Sequence, residues 1–201
     1  MFLNTRWSIE ASWSQRRLRV FEPTVSEVVA VAPLLAAFYN DSHNSAMLTN
    51  TRELTVSEVV ETFESLRAAG DRPFLLEQDG ELMGDADFRH VEGSEAEFAI
   101  LVGPRAQQSR GLGTRFAAMM HVAALRVLGF ERVYATIIPT NIASRRMLEK
   151  LGYQVDRSSR AARFAEAEDD IVMSINPVQF ERTHGELLMQ AVVTAQITPP
   201  G

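Results

Sequence analysis

Two glycines separated by one residue, Gly111 and Gly113, stand between a segment that reads as a strand and one that reads as a helix. They dictate how the chain passes from one to the other. In the strand, Ala96 to Val102, the residues Phe98, Ile100 and Val102 alternate with Glu97, Ala99 and Leu101, and Gly103-Pro104 stops it. The helix places Phe116, Met119, Met120, Ala123 and Val127 on one face and closes at Gly129. Within Gln108-Ser-Arg-Gly111-Leu-Gly113-Thr114 the glycines let the backbone curl, so that successive N–H groups point inward. The helix N-terminus adds unpaired donors and the positive end of its dipole. Such a turn cradles a phosphate; taken alone, it is more often a plain strand-to-helix connection. It is not the dinucleotide fingerprint, which needs a third glycine and a later acidic residue, nor a P-loop, which needs Gly-Lys-Ser/Thr.

The chain has 201 residues, 46% hydrophobic and 23% charged, which fits one domain with a real core and excludes a disordered or fibrous chain. A net charge of -6 argues against nucleic-acid or anionic-membrane partners and tolerates a cationic one. With no cysteine there is no disulfide framework, thiol nucleophile or thiolate metal site. His43, His90, His121 and His184 lack ligand spacing, so no metal is expected. No apolar run approaches the roughly 18 residues of a membrane span. Met1 to Trp7 shows neither a basic n-region nor an apolar h-region, and the chain is expected to be cytoplasmic.

The first sixteen or so residues show no clear period, and Leu18 to Phe21 reads as a short strand. Thr24-Val-Ser-Glu27 is a capping box opening a helix to about Tyr39, with Pro33 a kink or break inside it. The same six letters recur at Thr55 to Val60 and open a second helix ended by Gly70; Asn40 to Asn50 between them reads as a polar loop. A meander follows: Phe74 to Glu77, a turn at Gln78-Asp-Gly80, and Glu81 to His90. Arg132 to Ile138 is a strand, Asn141 to Leu151 a helix capped by Gly152, Asp156 to Asp170 a charged loop or loose hairpin, and Ile171 to Ile175 the last strand. Asn176-Pro177 starts a helix with Phe180, His184, Leu187, Leu188, Ala191 and Val192 in one stripe, before a frayed Thr198-Pro-Pro-Gly tail. The order predicts an α+β fold around one sheet, not a doubly wound parallel one.

About thirty residues beyond the glycine turn stands Ile138-Pro-Thr-Asn141-Ile-Ala-Ser144-Arg-Arg-Met-Leu148-Glu-Lys-Leu-Gly152-Tyr153. Together the two segments resemble the GNAT superfamily of acyl-CoA-dependent N-acetyltransferases, and most of all its branch containing ribosomal-protein N-terminal acetyltransferases. Gln108, Gly111 and Gly113 match the family's Q/R-x-x-G-x-G/A loop, and Asn141 to Tyr153 its later helix. The resemblance implies a mostly antiparallel central sheet flanked by helices. It places the domain at 18–176, with an N-terminal extension at 1–17 and an appended C-terminal amphipathic helix and tail at 177–201.

It also implies a division of labour. Acetyl-CoA is the co-substrate and a small-molecule or peptide amine the acceptor. Ile100, Leu101 and Val102 occupy the strand that pairs with the pantetheine amides. Arg110, Gly111, Leu112, Gly113 and Thr114, with Gln108, occupy the pyrophosphate loop, and Asn141 matches an asparagine that contacts the cofactor arm. Glu97 is the candidate base, and reads equally as a solvated or salt-bridged strand residue. A tyrosine common in the later helix is replaced by Leu148, so Ser144 is the candidate acid, or else bonds to its own helix. Leu148 keeps open a non-catalytic acyl-CoA-binding sensor or scaffold of the same fold. Tyr39 and His43 are candidate acceptor contacts. Asp85 and Asp87 could give the acceptor pocket negative charge but read better as a polar strand face, and His121 and His184 read as packing residues. The C-terminal stripe packs on the domain or forms a homodimer contact.

Overall fold

A computed structural model describes residues 5–48 and 52–197. The predicted frayed tail, and Thr49 and Asn50 of the predicted loop, lie outside the described residues. The described strands form one nine-stranded sheet. In chain order they are β1 (Thr5–Trp13), β2 (Arg16–Phe21), β3 (Arg72–Gln78), β4 (Glu81–Glu92), β5 (Glu95–Val102), β6 (Arg132–Ile137), β7 (Gln154–Val155), β8 (Ile171–Ile175) and β9 (Val192–Ile197). Across the sheet they run β7-β8-β6-β5-β4-β3-β2-β1-β9. Every neighbouring pair is antiparallel except β5 and β6. The expected mostly antiparallel sheet is present.

Two helical layers cover it. On one face lie α1 (Val25–Asn40) and α3 (Val56–Ala69), with the short α2 (Ser42–Met47) between them in sequence. The repeated Thr-Val-Ser-Glu segments both form capping boxes: the Glu27 amide donates to Thr24 Oγ1 at 3.1 Å and the Thr24 amide to Glu27 Oε2 at 2.6 Å, with the same reciprocal pair at Thr55 and Glu58. α1 runs through Pro33 unbroken, because the missing donor falls on the solvent side, where Val29 is also exposed. The predicted loop after it contains α2, whose first amides donate to Asp41 Oδ1.

On the other face α4 (Leu112–Ala123) is buried along nearly its whole length and widens into a π turn over Ala124–Leu128 before Gly129. A helix apolar on all sides has to be an interior element. It is sandwiched between β1, β2 and β5 of the sheet and the helices α5 (Ile142–Leu151) and α6 (Pro177–Gln190).

Two readings of the termini change. Thr5–Trp13, where no period was expected, is β1, paired with β2 and β9. The C-terminal helix ends at Gln190 and the chain continues as β9, so Val192, expected on the helical stripe, begins a strand and is exposed. Val-Val-Thr is β-branched and favours the extended form. β1 and β9 therefore pair at the far edge of the sheet that contains the meander.

The meander also contains a register shift between Leu76 and Glu77, opposite Gly84. Gly84 has φ +146, and a Cβ there would stand 1.9 Å from the Leu101 carbonyl oxygen. Only glycine lets β4 approach β5 this closely. Gly84→Ala is expected to cost at least about 2 kcal/mol in a urea titration, whereas Gly185→Ala, with open space around its Cβ, should cost nothing.

Candidate active site

The single parallel pair is short. β5 and β6 are in register only at Glu95 with Arg132, Ala96 with Val133, and Glu97 with Tyr134. Beyond Glu97, β5 stays with β4 as far as Val102 opposite Gly84, and β6 stays with β8 as far as Ile137 opposite Ile171. The two strands part, leaving the inner edge of β5 open. A cavity of about 340 Å3 enters the gap, with Ile100 and Leu101 on one wall and Thr136 and Ile138 on the other. It extends under α1 and α3 to Tyr39, Asp85 and Phe63, and under α5 to Ser144 and Leu148.

The glycine turn adjoins this gap. Ser109 and Gly111 take left-handed angles, φ 59 and +83. Gly111 is the N-cap of α4 and gives it no side-chain cap, so the first-turn amides of Leu112, Gly113 and Thr114 face out as a donor cluster. Gly113 itself has helical geometry; a Cβ there would stand 3.6 Å from Met147 Sδ and 3.7 Å from Val102 Cγ2, at the mouth between α5 and β5. The backbone strain that glycine relieves is at Gly111, not Gly113.

The predicted cofactor side chains play several parts. Arg110 is exposed beside the turn, and Leu112 is buried in the core, so only its backbone is available. Gln108 is already engaged: its Nε2 donates to Val102 O and to Asn44 Oδ1, both at 2.8 Å. Asn44, buried on α2, donates in turn to Phe38 O and Gly103 O. This latch fixes the end of β5; in the sequence Asn44 was one polar letter of a loop. Asn141 caps α5, accepting from the Ser144 amide at 3.0 Å. Ser144 lines the cavity, and among the described residues its hydroxyl has no partner. Leu148, one turn further on, is buried and lines the same wall.

The sheet face under α1 and α3 is charged. Period two puts Asp85, Asp87 and Arg89 of β4 on it, with Glu97 directly across from Arg89. Glu97 is 6% exposed. Its Oε2 is 3.0 Å from His90 Nδ1 and 3.6 Å from Arg89 Nε. His90 has φ 52 and a largely exposed ring, so it joins the buried carboxylate to solvent. Nothing in the spacing of the histidines had marked it. Tyr39 donates to Asp85 Oδ2 at 2.5 Å. Burial holds the Tyr39 hydroxyl well above its ordinary range, and raises the Asp85 carboxyl to about 7 and the Asp87 carboxyl to about 6.

Tyr39, Glu97, Ile100, Leu101, Asn141 and Ser144 thus come together at one cavity. His43 does not: it is exposed on the first turn of α2 and lines no part of it. His121 is a core residue, as expected. It is fully buried, with Nδ1 on Ala117 O at 2.7 Å and Nε2 on the Tyr153 hydroxyl at 2.6 Å, and burial lowers it to about 4. A carbonyl only accepts, so Nδ1 carries the proton and Tyr153 donates to Nε2.

This arrangement has known counterparts. The family model described as acetyltransferase (GNAT) domain matches residues 18–154, and the chain belongs to that family. Solved structures share the fold. Mycobacterium smegmatis RimJ in complex with CoA-disulfide superposes with a TM-score of 0.69 at 18% identity, over 87% of this chain and 90% of that one. The aminoglycoside acetyltransferase AAC(6')-Ib in complex with coenzyme A gives 0.69 at 17% identity, over 83% and 99%. Spermidine N-acetyltransferase from Vibrio cholerae in complex with CoA and spermine gives 0.65 at 16%, over 84% and 99%. No curated protein sequence matches significantly.

The acidic face has a measurable cost. An unfolded chain ionises Asp85 near 3.8; the folded protein resists until about 7. Folded stability therefore falls as pH rises through that window. Asp85→Asn removes this loss, so its melting temperature relative to the parent should rise by at least about 3 °C between pH 4 and pH 8, roughly 1 kcal/mol for a domain of this size.

Proposed function

We propose that the protein transfers an acetyl group from acetyl-CoA to a primary amine by direct attack in a ternary complex. The observation that carries this reading is the parting of β5 from β6 at Glu97, beside the uncapped N-terminus of α4. An open strand edge suits a ligand with amide groups, and a first-turn donor cluster suits a pyrophosphate. The residues present fit that co-substrate: Gly113 leaves room between Val102 and Met147, where any larger side chain would fill the passage. The neighbours in complex with CoA support the same choice. When bound, acetyl-CoA supplies the activated acetyl thioester.

The chain's own residues then have distinct tasks. The amides of Leu112, Gly113 and Thr114 hold the diphosphate, with Arg110 beside them. The edge of β5 from Ile100 to Val102 orients the arm, and Asn141 holds α5 against it while capping the helix. Glu97 takes a proton from the amine, with Oε1 left clear of the His90 and Arg89 contacts on Oε2. His90 offers that proton a path to solvent. Ser144 donates a hydrogen bond to the departing sulfur, a role its unpartnered hydroxyl can fill and buried Leu148 cannot. Without cysteine no acyl-cysteine relay is available.

Release of free thiol from acetyl-CoA in the presence of a panel of amines tests the reading directly. CoA binding with no thiol release from any amine would instead favour the non-catalytic sensor that Leu148 allows. Gly113→Val should weaken CoA binding at least about tenfold by calorimetry, with an unchanged melting temperature as the sign of an intact fold. Glu97→Gln should lower turnover and flatten the acid limb of the pH–rate profile while CoA binding holds. Ser144→Ala should lower the maximal rate about ten- to a hundredfold with both Michaelis constants near the parent's. A maximal rate within twofold of the parent, with chemistry limiting, would leave the sulfur without a side-chain acid.

A further inference from the structure

The cavity carries more negative charge than acetyl transfer to a simple amine needs. Among the described residues five carboxylates line it, Asp85, Asp87, Glu97, Glu166 and Asp170, against one guanidinium, Arg89. That guanidinium is shared: its Nε stands 3.3 Å from Asp87 Oδ1 and 3.6 Å from Glu97 Oε2. Asp170 is turned to its own loop, accepting from the amides of Glu166 and Ala167. Asp85 is different. It is 5% exposed, and among the described residues its one side-chain partner is the Tyr39 hydroxyl on Oδ2. Its Oδ1 is buried and, among the described residues, has no hydrogen-bond partner.

A buried carboxylate oxygen without a donor is costly, and native proteins rarely keep one without a use. Among the described residues no three His, Asp or Glu side chains converge as metal ligands would. An organic cation entering the cavity would supply a charge partner for this carboxylate. Asp85 and Asp87 follow each other on the same face of β4, about 7 Å apart along the strand. Opposite them on β5 stand Leu101 and the small Ala99, and Glu97 lies one step beyond Ala99 on that face. A cation at the aspartates therefore sits several ångströms from an amine poised at Glu97, within one chain of an extended molecule.

We propose that Asp85 and Asp87 form a second ammonium subsite, so that the acceptor is a polycationic amine. The inference rests on the amine-acceptor reading above and deepens it. One ammonium group is held between the Asp85 and Asp87 carboxylates that line the cavity, with Tyr39 fixing the Asp85 carboxylate through Oδ2; another amine of the same molecule meets Glu97. The high proton affinity that burial gives both aspartates is the cost of holding the subsite without its cation, and an ammonium group removes that cost by restoring a charge partner.

Spermidine and n-butylamine separate the possibilities, because they present similar alkylamine ends and differ in the additional ammonium groups. Calorimetric titration into the protein saturated with CoA should show spermidine binding at least tenfold more tightly than n-butylamine. Asp85→Asn and Asp87→Asn should each reduce that preference at least fivefold, with CoA affinity kept as the sign of an intact fold. Equal affinity for the two amines, or a preference unchanged in both variants, would overturn the subsite. The same pair in the thiol-release assay keeps the two claims apart. Spermidine bound with the predicted preference but never acetylated would defeat the transfer reading alone. Acetylation of n-butylamine as efficiently as spermidine, by parent and variants alike, would defeat the subsite alone.

Discussion

The parallel pairing of β5 with β6 ends after three residue pairs, and the site depends on that parting. β5 is bound along its length to β4, drawn close by Gly84 at Leu101, while β6 is bound to β8. Strand twist then carries them apart once the three pairs from Glu95 to Glu97 end. The Gln108 amide on Val102 O and Asn44 on Gly103 O keep the free end of β5 from collapsing into the gap. α4 can start beside the opening because its buried body is anchored elsewhere, by Phe116 and Met120 in the core and by the His121–Tyr153 hydrogen bond to the exit of α5. The open edge, the donor cluster and the cavity therefore adjoin at one end of β5.

The two faces of the sheet divide the work. Under α4 the interior is apolar, with the rings of Phe88, Phe98, Phe130 and Phe180 close together or around His121. Under α1 and α3 the same strands present Asp85, Asp87, Arg89 and Glu97. Charges placed beneath helices lose hydration, which is why burial dominates the shifts at Asp85 and Asp87. An apolar face would serve stability better. The acidic one is the face proposed to recognise the acceptor.

Local chemistry was legible in the sequence, and long-range placement was not. The capping boxes at Thr24 and Thr55, the left-handed Gly152 and the Asn141 cap are short-range hydrogen bonds written in adjacent residues, and each forms. β1 was missed although Trp7, Ile9, Ala11 and Trp13 alternate, because polar neighbours mask a period whose meaning comes from its partners β2 and β9. Asp85 and Asp87 read as a polar strand face because strand alternation tells which residues share a face, not what covers it; here α1 and α3 do. His90 and Asn44 act through contacts with Glu97 and Gln108, 7 and 64 residues away, which no spacing rule reaches.

Hydrogen exchange with and without CoA tests the central claim most directly, since it reads the backbone groups said to hold the co-substrate. Saturating CoA should slow exchange at the open-edge amides of β5 between Phe98 and Val102 and at Leu112, Gly113 and Thr114, while β1 and β9 at the far edge stay unchanged. Calorimetrically demonstrated CoA binding with no protection at either of these segments would contradict the account.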